Sequence, residues 1–157
     1  MPIRAAIPED LAAIRELERQ ADTAAHWTAR EYDALFAAEA PKRIVLVAAT
    51  ESEIGQVQGF VIGQCAMSDW EIENVVVAGD CQRQGVATEM IQELIRRAHS
   101  SGATSVLLEV RESNLAARRL YESLGFTEQG RRNNYYRDPT EDGLLLKISI
   151  KRGEKVP

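Results

Sequence analysis

A short loop at residues 82–87 has the composition of an anion-binding turn. It reads Gln-Arg-Gln-Gly-Val-Ala, follows a β-branched run that ends at Val77, and leads into a helical pattern. The first backbone N–H groups of a helix lack partners within the helix and carry a partial positive charge, so they bind phosphate groups well. The small residues Gly85 and Ala87 would let an anion approach the backbone closely. A tight turn packed against a sheet has the same composition, and this pattern alone leaves both interpretations open.

Glu109 stands out because it interrupts an apolar run. Val106, Leu108 and Val110 alternate on one face of a predicted strand, and the glutamate lies between them in sequence. An unpaired carboxylate is costly to bury. The sequence therefore offers two interpretations: a strand-end carboxylate satisfied by Arg111 or by water, or a general base that takes a proton from an incoming ammonium group.

Tyr121 lies on the apolar side of the next predicted helix, beside Leu120 and Leu124. By this pattern alone a core tyrosine is the simpler interpretation. A catalytic tyrosine is the alternative interpretation. Because the helix directly follows the strand of Glu109, both side chains could face one cleft.

Three segments resemble the GNAT superfamily of N-acetyltransferases, which use acetyl-CoA. The loop at residues 82–87 matches the pattern Gln-x-x-Gly-x-Ala of the family's pyrophosphate-binding motif. Residues 107–126, which end in Tyr-Glu-Ser-Leu-Gly-Phe, and the Arg-Arg-Asn-Asn-Tyr-Tyr run at residues 131–136 are similar to RimI-type ribosomal-protein N-terminal alanine acetyltransferases. The resemblance is specific over residues 70–137.

The resemblance implies acetyl-CoA as the cosubstrate. In the family, the strand before the loop offers its backbone to the pantetheine arm, as an added β-strand would. Asn114 would contact the cofactor, although either it or Ser113 is also a good N-cap for the helix that follows. The cofactor-binding residues implied are Val75, Val76, Val77, Arg83, Gln84, Gly85, Val86, Ala87, Thr88 and Asn114.

The same resemblance implies roles at the reacting end. Glu109 would be the general base, and Tyr121 the general acid that protonates the departing thiolate of CoA. In other branches of the superfamily a glutamate on the earlier strand is the base, which makes Glu73 or Glu71 a rival. The acceptor site implied consists of Trp27, Glu73, Asn134 and Tyr135. The last two would lie in a loop that borders the peptide groove, and an aromatic pair at a strand edge is the alternative interpretation of that segment.

The activity implied is direct acetyl transfer to the N-terminal amine of a protein, with the N-terminal alanine of a small-subunit ribosomal protein as acceptor. Neither Cys65 nor Cys81 is needed, because no acyl-enzyme forms. Two other classes of function stay open. One is acetylation of a small-molecule amine or a lysine side chain, and the other is a non-enzymatic module that binds CoA or a partner.

These residues must be positioned by an α/β fold whose elements follow the order βααβββαβαββ. Helices are predicted after Pro8, from Thr28 with a capping box to Glu31, over residues 86–98 and over residues 114–124. Strands are predicted at residues 1–6, 44–50, 56–67, 70–78, 104–110, 126–129 and about 144–150. The central strand–helix–strand unit requires parallel pairing and the early hairpins are antiparallel, so about seven strands and about four helices form a mixed sheet structure. The resemblance implies the GNAT fold, in which the sheet splays apart between the strands that begin near residues 70 and 104 and admits acetyl-CoA.

Length and composition predict one domain over residues 1–157. Of the 157 residues, 45% are hydrophobic and 27% are charged, and the net charge is −5. This acidity argues against a dedicated DNA-binding protein. Local basic character in the C-terminal half could still face an anionic cofactor or RNA, or form a solvated surface. It comes from Arg111, Arg118, Arg119, Arg131 and Arg132.

The chain also lacks signals for membranes, export and metals. Its apolar runs are too short for a membrane helix, and no secretory signal precedes the first strand, so a cytoplasmic location is expected. Two cysteines and two distant histidines predict neither a disulfide framework nor a metal site.

Overall fold

The computed structural model describes residues 1–21, 24, 27–37, 42–52 and 55–150. The strands in these residues are β1 (Ile3–Ala5), β2 (Arg43–Ala49), β3 (Val57–Ala66), β4 (Asp69–Val77), β5 (Ser105–Arg111), β6 (Thr127–Tyr136) and β7 (Glu141–Ser149). They form one seven-stranded sheet in the order β1-β2-β3-β4-β5-β7-β6. β4 and β5 pair in parallel and the other neighbours pair antiparallel, so the predicted mixed sheet is confirmed.

The helices of the described residues are α1 (Leu11–Gln20), α2 (Ala29–Asp33), α3 (Val86–Ser100) and α4 (Leu115–Ser123). Their order along the chain with the strands is βααβββαβαββ, as predicted. The predicted capping box at α2 is present. Thr28 Oγ1 accepts a hydrogen bond from the Glu31 N–H at 3.2 Å, and the Glu31 carboxylate accepts one from the Thr28 N–H at 2.8 Å.

The sheet separates two apolar cores. The helices α3 and α4 contribute residues such as Met90 and Leu94 to the core on one face, which we call the α3 face. The helices α1 and α2 pack on the opposite face, the α1 face, where Ile14 meets Phe60 of β3 in the second core. Apolar positions at helical spacing build both contacts, and their removal from water is the main stabilising contribution.

β4 contains a bulge at Glu73. Ile62 on β3 lies opposite Asn74 and the next residue, Gly63, lies opposite Ile72, so Glu73 has no cross-strand partner there. An extra residue in one strand reverses the alternation of side chains between the two faces. Ile72 accordingly packs in the α3-face core, whereas Asn74 is buried on the α1 face against α1 and α2. The bulge thus places Asn74 on the α1 face, opposite to the face of Ile72.

β4 and β5 separate beyond this point. Their pairing ends at Ile72 opposite Leu108, and no further pairing between them occurs in the described residues. β4 continues to Val77 against β3, while β5 continues to Arg111 against β7. The strand ends therefore open the gap that the resemblance implied, and the loops into α3 and α4 both begin at its mouth.

β6 is longer than predicted. The sequence predicted a strand over residues 126–129 and a loop around 134–136, but the strand continues to Tyr136. Most of its residues are exposed, so no apolar alternation reveals this edge strand. It is also irregular: its pairing with β7 passes from Arg132 directly to Tyr136, and Asn134 has a φ of 52°. The aromatic pair lies at a strand edge, which was the alternative interpretation.

Candidate active site

The N-terminus of α3 has no side-chain cap. Gly85 occupies the N-cap position with a φ of 81°, a conformation that glycine adopts at little cost. No described atom lies within 4 Å of the place that a Cβ on Gly85 would take. The N–H groups from Val86 to Thr88 are thus left for an external acceptor. This is the arrangement that binds phosphate oxygens.

Two glutamines hold the loop before α3 in shape. Gln82 Nε2 donates a hydrogen bond to the Val77 carbonyl at 3.2 Å, and Gln84 Nε2 donates one to the Asp80 carbonyl at 3.1 Å. Both amides are therefore used inside the loop. Arg83 between them adopts a left-handed φ of 61°, so the loop backbone turns sharply just before the helix begins.

The N-terminus of α4 differs, because its own cap occupies it. Asn114 Oδ1 accepts a hydrogen bond from the Ala117 N–H at 3.2 Å, which confirms Asn114 as the N-cap. Ser113, the competing candidate, instead donates its N–H and its hydroxyl to the carboxylate of Glu141. Of these two helices, α3 is the one whose start has no side-chain cap.

The outer part of β4 supplies a free strand edge. Val76 is buried in the α1-face core, and Val75 and Val77 pack partly buried against the α3-face core. Because β5 has turned away, the N–H and C=O groups on that edge of β4 have no strand partner in β5. An extended ligand can pair with such an edge as an added strand.

Glu109 extends to the α1 face of β5, while the apolar residues on either side of it in sequence enter the α3-face core. Its Oε1 lies 2.9 Å from Nε of Arg132 on β6, and 15% of the side chain is exposed. This contact is an ion pair without hydrogen-bond geometry, since Oε1 is buried and receives no hydrogen bond from the described residues. The sequence offered Arg111 as the residue that neutralises Glu109. That prediction is wrong, because Arg111 pairs with Glu141 at 2.9 Å.

The rival glutamates lie in the same cluster of carboxylates. Glu73 Oε1 is 2.9 Å from Nε of Arg43, so its charge is compensated. Glu71 makes no ion pair with the described residues. Partial desolvation of its carboxyl and the nearby carboxylates of Glu73 and Glu109 raise the pKa of Glu71, and Arg132 opposes this. The three carboxylates are therefore close enough to influence one another.

Tyr121 belongs to the α3-face core and packs edge-on against Phe126, with 5.6 Å between ring centres. Burial and the neighbouring phenol of Tyr136 raise the pKa of Tyr121 to about 12. Burial and the carboxylate of Glu109 raise the pKa of Tyr136 to about 12. Tyr136 therefore lies near both the predicted acid and the predicted base, although these belong to opposite faces of the sheet.

Trp27 and Glu73, both predicted acceptor-site residues, are joined by Arg43. The guanidinium carbon of Arg43 lies 5.3 Å from the centre of the Trp27 ring, and its Nε pairs with Glu73. The Trp27 ring also packs against Tyr32, with 5.3 Å between ring centres. A cation over an indole face is a favourable contact, so these residues form one wall on the α1 face.

A buried hydrogen-bond network supports this wall from behind. Glu18 Oε1 accepts hydrogen bonds from the Trp27 N–H at 2.6 Å and from Asn74 Nδ2 at 3.3 Å. Asn74 Nδ2 also donates to the Tyr32 hydroxyl at 3.1 Å. Burial and the hydrogen bond to Glu18 raise the pKa of Tyr32, so this phenol stays protonated. The network ties the backbone of Trp27 to β4 directly after the bulge.

The other two predicted acceptor residues lie on the irregular part of β6. The Asn134 N–H donates to Asp142 Oδ1 at 2.9 Å. Tyr135 is exposed, and the guanidinium carbon of Arg132 lies 5.2 Å from the centre of its ring. Tyr135 is therefore linked to Glu109 indirectly, because Arg132 contacts both side chains.

The described contacts collect the predicted residues into two groups. One contains Trp27 and Glu73, and the other contains Glu109 and Tyr135. Glu71 is electrostatically coupled to the carboxylates of both groups. No described contact of Asn134 reaches either group. Sequence reasoning missed the connecting residues. Arg43 and, as a partner of Glu109, Arg132 come from distant strands and carry no local signal. Asn74 is next to Glu73 in sequence, but the bulge in β4 decides the face on which it lies.

The arginines of the C-terminal half are largely engaged within the fold. Three of them form ion pairs: Arg111 with Glu141, Arg131 with Glu112 and Asp142, and Arg132 with Glu109. A surface compensated in this way gives no support to an RNA-binding face. In the described part of the chain, no set of three or more His, Cys, Asp or Glu side chains could hold a metal ion. None of its helices is long and apolar enough to span a membrane.

Comparison with known proteins identifies the family. The model of the acetyltransferase (GNAT) family matches residues 11–126. The chain belongs to the GNAT acetyltransferase family. The matched range includes the loop before α3, Glu109 and Tyr121.

Relatives within this family are closely similar along most of the chain. The [ribosomal protein bS18]-alanine N-acetyltransferase of Escherichia coli K12 is 37% identical over 143 residues, which cover 90% of this chain and 92% of the relative. The crystal structure of the Escherichia coli ribosomal-protein-S18-alanine N-acetyltransferase superposes with a TM-score of 0.79 and 30% identity, covering 98% of this chain and 96% of that one. Ard1 from Thermoplasma volcanium, at 22% identity and a TM-score of 0.82 over 96% and 98% of the two chains, shares the fold. The expected GNAT fold is confirmed.

Replacing Tyr32 by Phe tests the buried network. The change removes the hydroxyl that contacts Glu18 and Asn74 but keeps the ring, and we expect the free energy of unfolding to fall by about 1–3 kcal/mol because buried polar partners lose a hydrogen bond. Urea denaturation followed by circular dichroism measures it. Tyr135→Phe, at an exposed position, is the matched control and should change stability by less than about 0.5 kcal/mol. Equal effects of the two substitutions would contradict a stabilising role for the network.

Proposed function

We propose that this GNAT protein transfers the acetyl group of acetyl-CoA to the N-terminal amine of a ribosomal protein, with the N-terminal alanine of bS18 as the acceptor. The observation that supports this most strongly is the gap between β4 and β5, where the uncapped start of α3 follows the unpaired edge of β4 and where Glu109 comes directly after the last residue of β5 that pairs with β4. The identity to an enzyme with that printed activity, over 90% of the chain, supports the acceptor.

The residues around the gap fit acetyl-CoA. We assign the pyrophosphate to the uncapped start of α3, where Gly85 leaves open space and the following N–H groups lack partners. We assign the pantetheine arm to the free edge of β4. The pyrophosphate-binding residues are then Arg83, Gln84, Gly85, Val86, Ala87 and Thr88, and those for the arm are Val75, Val76 and Val77, with Asn114 at the opposite side of the mouth.

Glu109 acts as the general base in this scheme. Its carboxylate takes one proton from the acceptor ammonium, directly or through a water molecule, and later releases it to solvent. The neutral amine then attacks the thioester carbonyl, so that a C–N bond forms. Backbone N–H groups on the free edge of β4 stabilise the negative oxygen of the tetrahedral intermediate. We assign the base to Glu109 rather than to its rivals Glu71 and Glu73 because Glu109 is the glutamate that the resemblance to RimI-type enzymes selects.

Tyr121 acts as the general acid. When the C–S bond breaks, its phenol gives a proton to the CoA sulfur, and the second proton lost by the amine nitrogen restores it through solvent. The pKa of about 12 keeps Tyr121 protonated at neutral pH, so this proton is available at the start of each cycle. Trp27, Glu73, Asn134 and Tyr135 would contact the acceptor peptide. We assign residues 1–157 to one catalytic domain, and a ribosomal acceptor would place its work in the cytoplasm.

The acceptor class is tested directly by mass spectrometry of peptides incubated with the protein and acetyl-CoA. A peptide with the bS18 N-terminus is compared with the same peptide blocked at its N-terminus and carrying a free lysine. We expect acetylation of the free N-terminus alone. Acetylation of the lysine alone would contradict the proposal, as would transfer only to a small amine such as a polyamine.

Glu109→Gln and Tyr121→Phe should each lower kcat by about 100-fold or more, with little change in the affinity for acetyl-CoA, because each removes one proton-transfer group and keeps its shape. Steady-state kinetics and calorimetry separate the two quantities. Cys81→Ser is the control and should retain turnover, since no acyl-enzyme is involved. Near-normal rates in both active-site variants would show that the acid and base lie elsewhere.

Gly85→Glu should weaken acetyl-CoA binding by about tenfold or more, because it fills the open space, repels phosphate and forces a left-handed backbone on a side chain that disfavours it. Isothermal calorimetry with CoA measures this. Gly79→Glu is the matched control. It places the same charge in the connection between β4 and α3, outside the loop at residues 82–87, and no described atom lies within 4 Å of its Cβ position. If both variants bound CoA equally well, the start of α3 would not be the pyrophosphate site.

A further inference from the structure

The two carboxylate oxygens of Glu109 have different surroundings. Only Oε1 is both buried and without a hydrogen bond from the described residues. Arg132 Nε lies 2.9 Å from this same atom, and it is the one described cation within ion-pair distance of Glu109. The guanidinium therefore contacts Oε1, the buried oxygen of the carboxylate.

Arg132 reaches Glu109 across a whole strand. In the sheet order, β7 lies between β5 and β6, and Arg132 is opposite Gly143 of β7. A Cβ on Gly143 would come within 3.3 Å of both Tyr135 and Tyr136, so a glycine is what leaves room above β7 at this point. The missing side chain lets residues of β6 lie over β7 and approach β5.

Tyr135 gives the arginine a second contact. The guanidinium carbon lies 5.2 Å from the centre of the Tyr135 ring, in cation–π range. The Arg132 side chain is 55% exposed, against 15% for Glu109. The carboxylate is thus held in a sheltered position by a cation whose far side is solvated, so the pair avoids most of the cost of burying two charges.

Glu109 lies among other charged and titratable side chains. Glu71 on β4 and Tyr136 on β6 are coupled to it electrostatically, and Arg132 pairs with it directly. Arg43 and Arg111 are each paired with other glutamates. Arg132 is the cation left to compensate Glu109.

We propose that Arg132 is a positioning residue for the reaction: it holds Oε1 of Glu109 in place and so leaves Oε2 for the acceptor amine. The proposal rests on the assignment of Glu109 as the base in the proposed function. The neighbouring Arg131 cannot take this role, because it pairs with Glu112 and Asp142.

Arg132→Met keeps the length of the side chain and removes its charge. We expect kcat for the bS18 peptide to fall about tenfold with little change in KM, because the carboxylate is no longer held in place for the reaction. CoA affinity should not change. Arg132→Lys should restore most of the loss, and Arg131→Met is the matched control with an unchanged kcat. An unaltered kcat in Arg132→Met would overturn the proposal.

A double-mutant cycle shows whether Arg132 acts through Glu109. In the Glu109→Gln background, Arg132→Met should add no further loss of kcat, because the charge it compensates is gone. Additive losses would mean that Arg132 acts elsewhere, and would refute its positioning role.

A measurement that needs no turnover separates this inference from the proposed function. Carbon-13 NMR of glutamate-labelled protein at one fixed pH, with the Glu109 carboxyl signal assigned from Glu109→Gln, should show that signal displaced in Arg132→Met and unchanged in Arg131→Met. An unmoved signal in Arg132→Met overturns the inference even if the wild-type protein acetylates N-termini. A displaced signal in a protein that acetylates no N-terminus supports the contact and refutes the proposed function instead.

Discussion

Parallel pairing between β4 and β5 ends at Ile72 and Leu108, and the arrangement of the site depends on that ending. Two parallel strands place the loops at their carboxyl ends on the same edge of a sheet, so the starts of α3 and α4 are neighbours. Separation of the strands then exposes the backbone of β4 beside those helix starts. A continuous sheet would satisfy these groups internally and leave no edge for an extended ligand. The bulge at Glu73 lies where the separation begins, in keeping with the tendency of bulges to end pairing near active sites.

The site is built from carboxylates that are compensated from other strands. Glu73 meets Arg43 of β2, and Glu109 meets Arg132 of β6. Glu73 and Glu109 are only 17% and 15% exposed, so the attraction in each pair is offset by the cost of removing charges from water. What the pairs do provide is geometry, since each arginine fixes where a carboxylate lies. Glu71 makes no ion pair among the described residues, and burial, together with the carboxylates of Glu73 and Glu109, raises its pKa.

Much of this fold can be predicted from local patterns, for physical reasons. α3 has a sustained apolar stripe from Val86 to Ala98, and the capping box at Thr28 depends only on residues close in sequence. The loop at residues 82–87 is equally local. The end of β6 was missed because an edge strand with both faces in water needs no alternation of apolar residues. Its irregular pairing also depends on Gly143 of β7, where a Cβ would lie 3.3 Å from both Tyr135 and Tyr136. The sequence does not reveal this contact, because it arises only when β6 and β7 pair.

The partners of the site residues were beyond sequence reasoning for a related reason. Arg111 is close to Glu109 in sequence and was the natural candidate to neutralise it, yet residues two apart on a strand share a face without needing to touch. Register across β7 decides the matter: it turns Arg111 toward Glu141 and lets Arg132 reach Glu109. The face on which Asn74 lies was hidden in the same way, because a single extra residue in β4 moves every later side chain to the opposite face of the sheet.

The opposite placement of Glu109 and Tyr121 explains why a splayed sheet suits this chemistry. In the proposed scheme the base, Glu109, lies on the α1 face, and the acid, Tyr121, lies in the α3-face core, where burial raises the pKa of its phenol to about 12. In a closed sheet, the layer of backbone between the faces would keep the two groups apart. Where β4 and β5 separate, that layer is missing. A thioester held in the gap can therefore be approached by an amine from one face and receive a proton from the other, so each group retains the environment that its role requires.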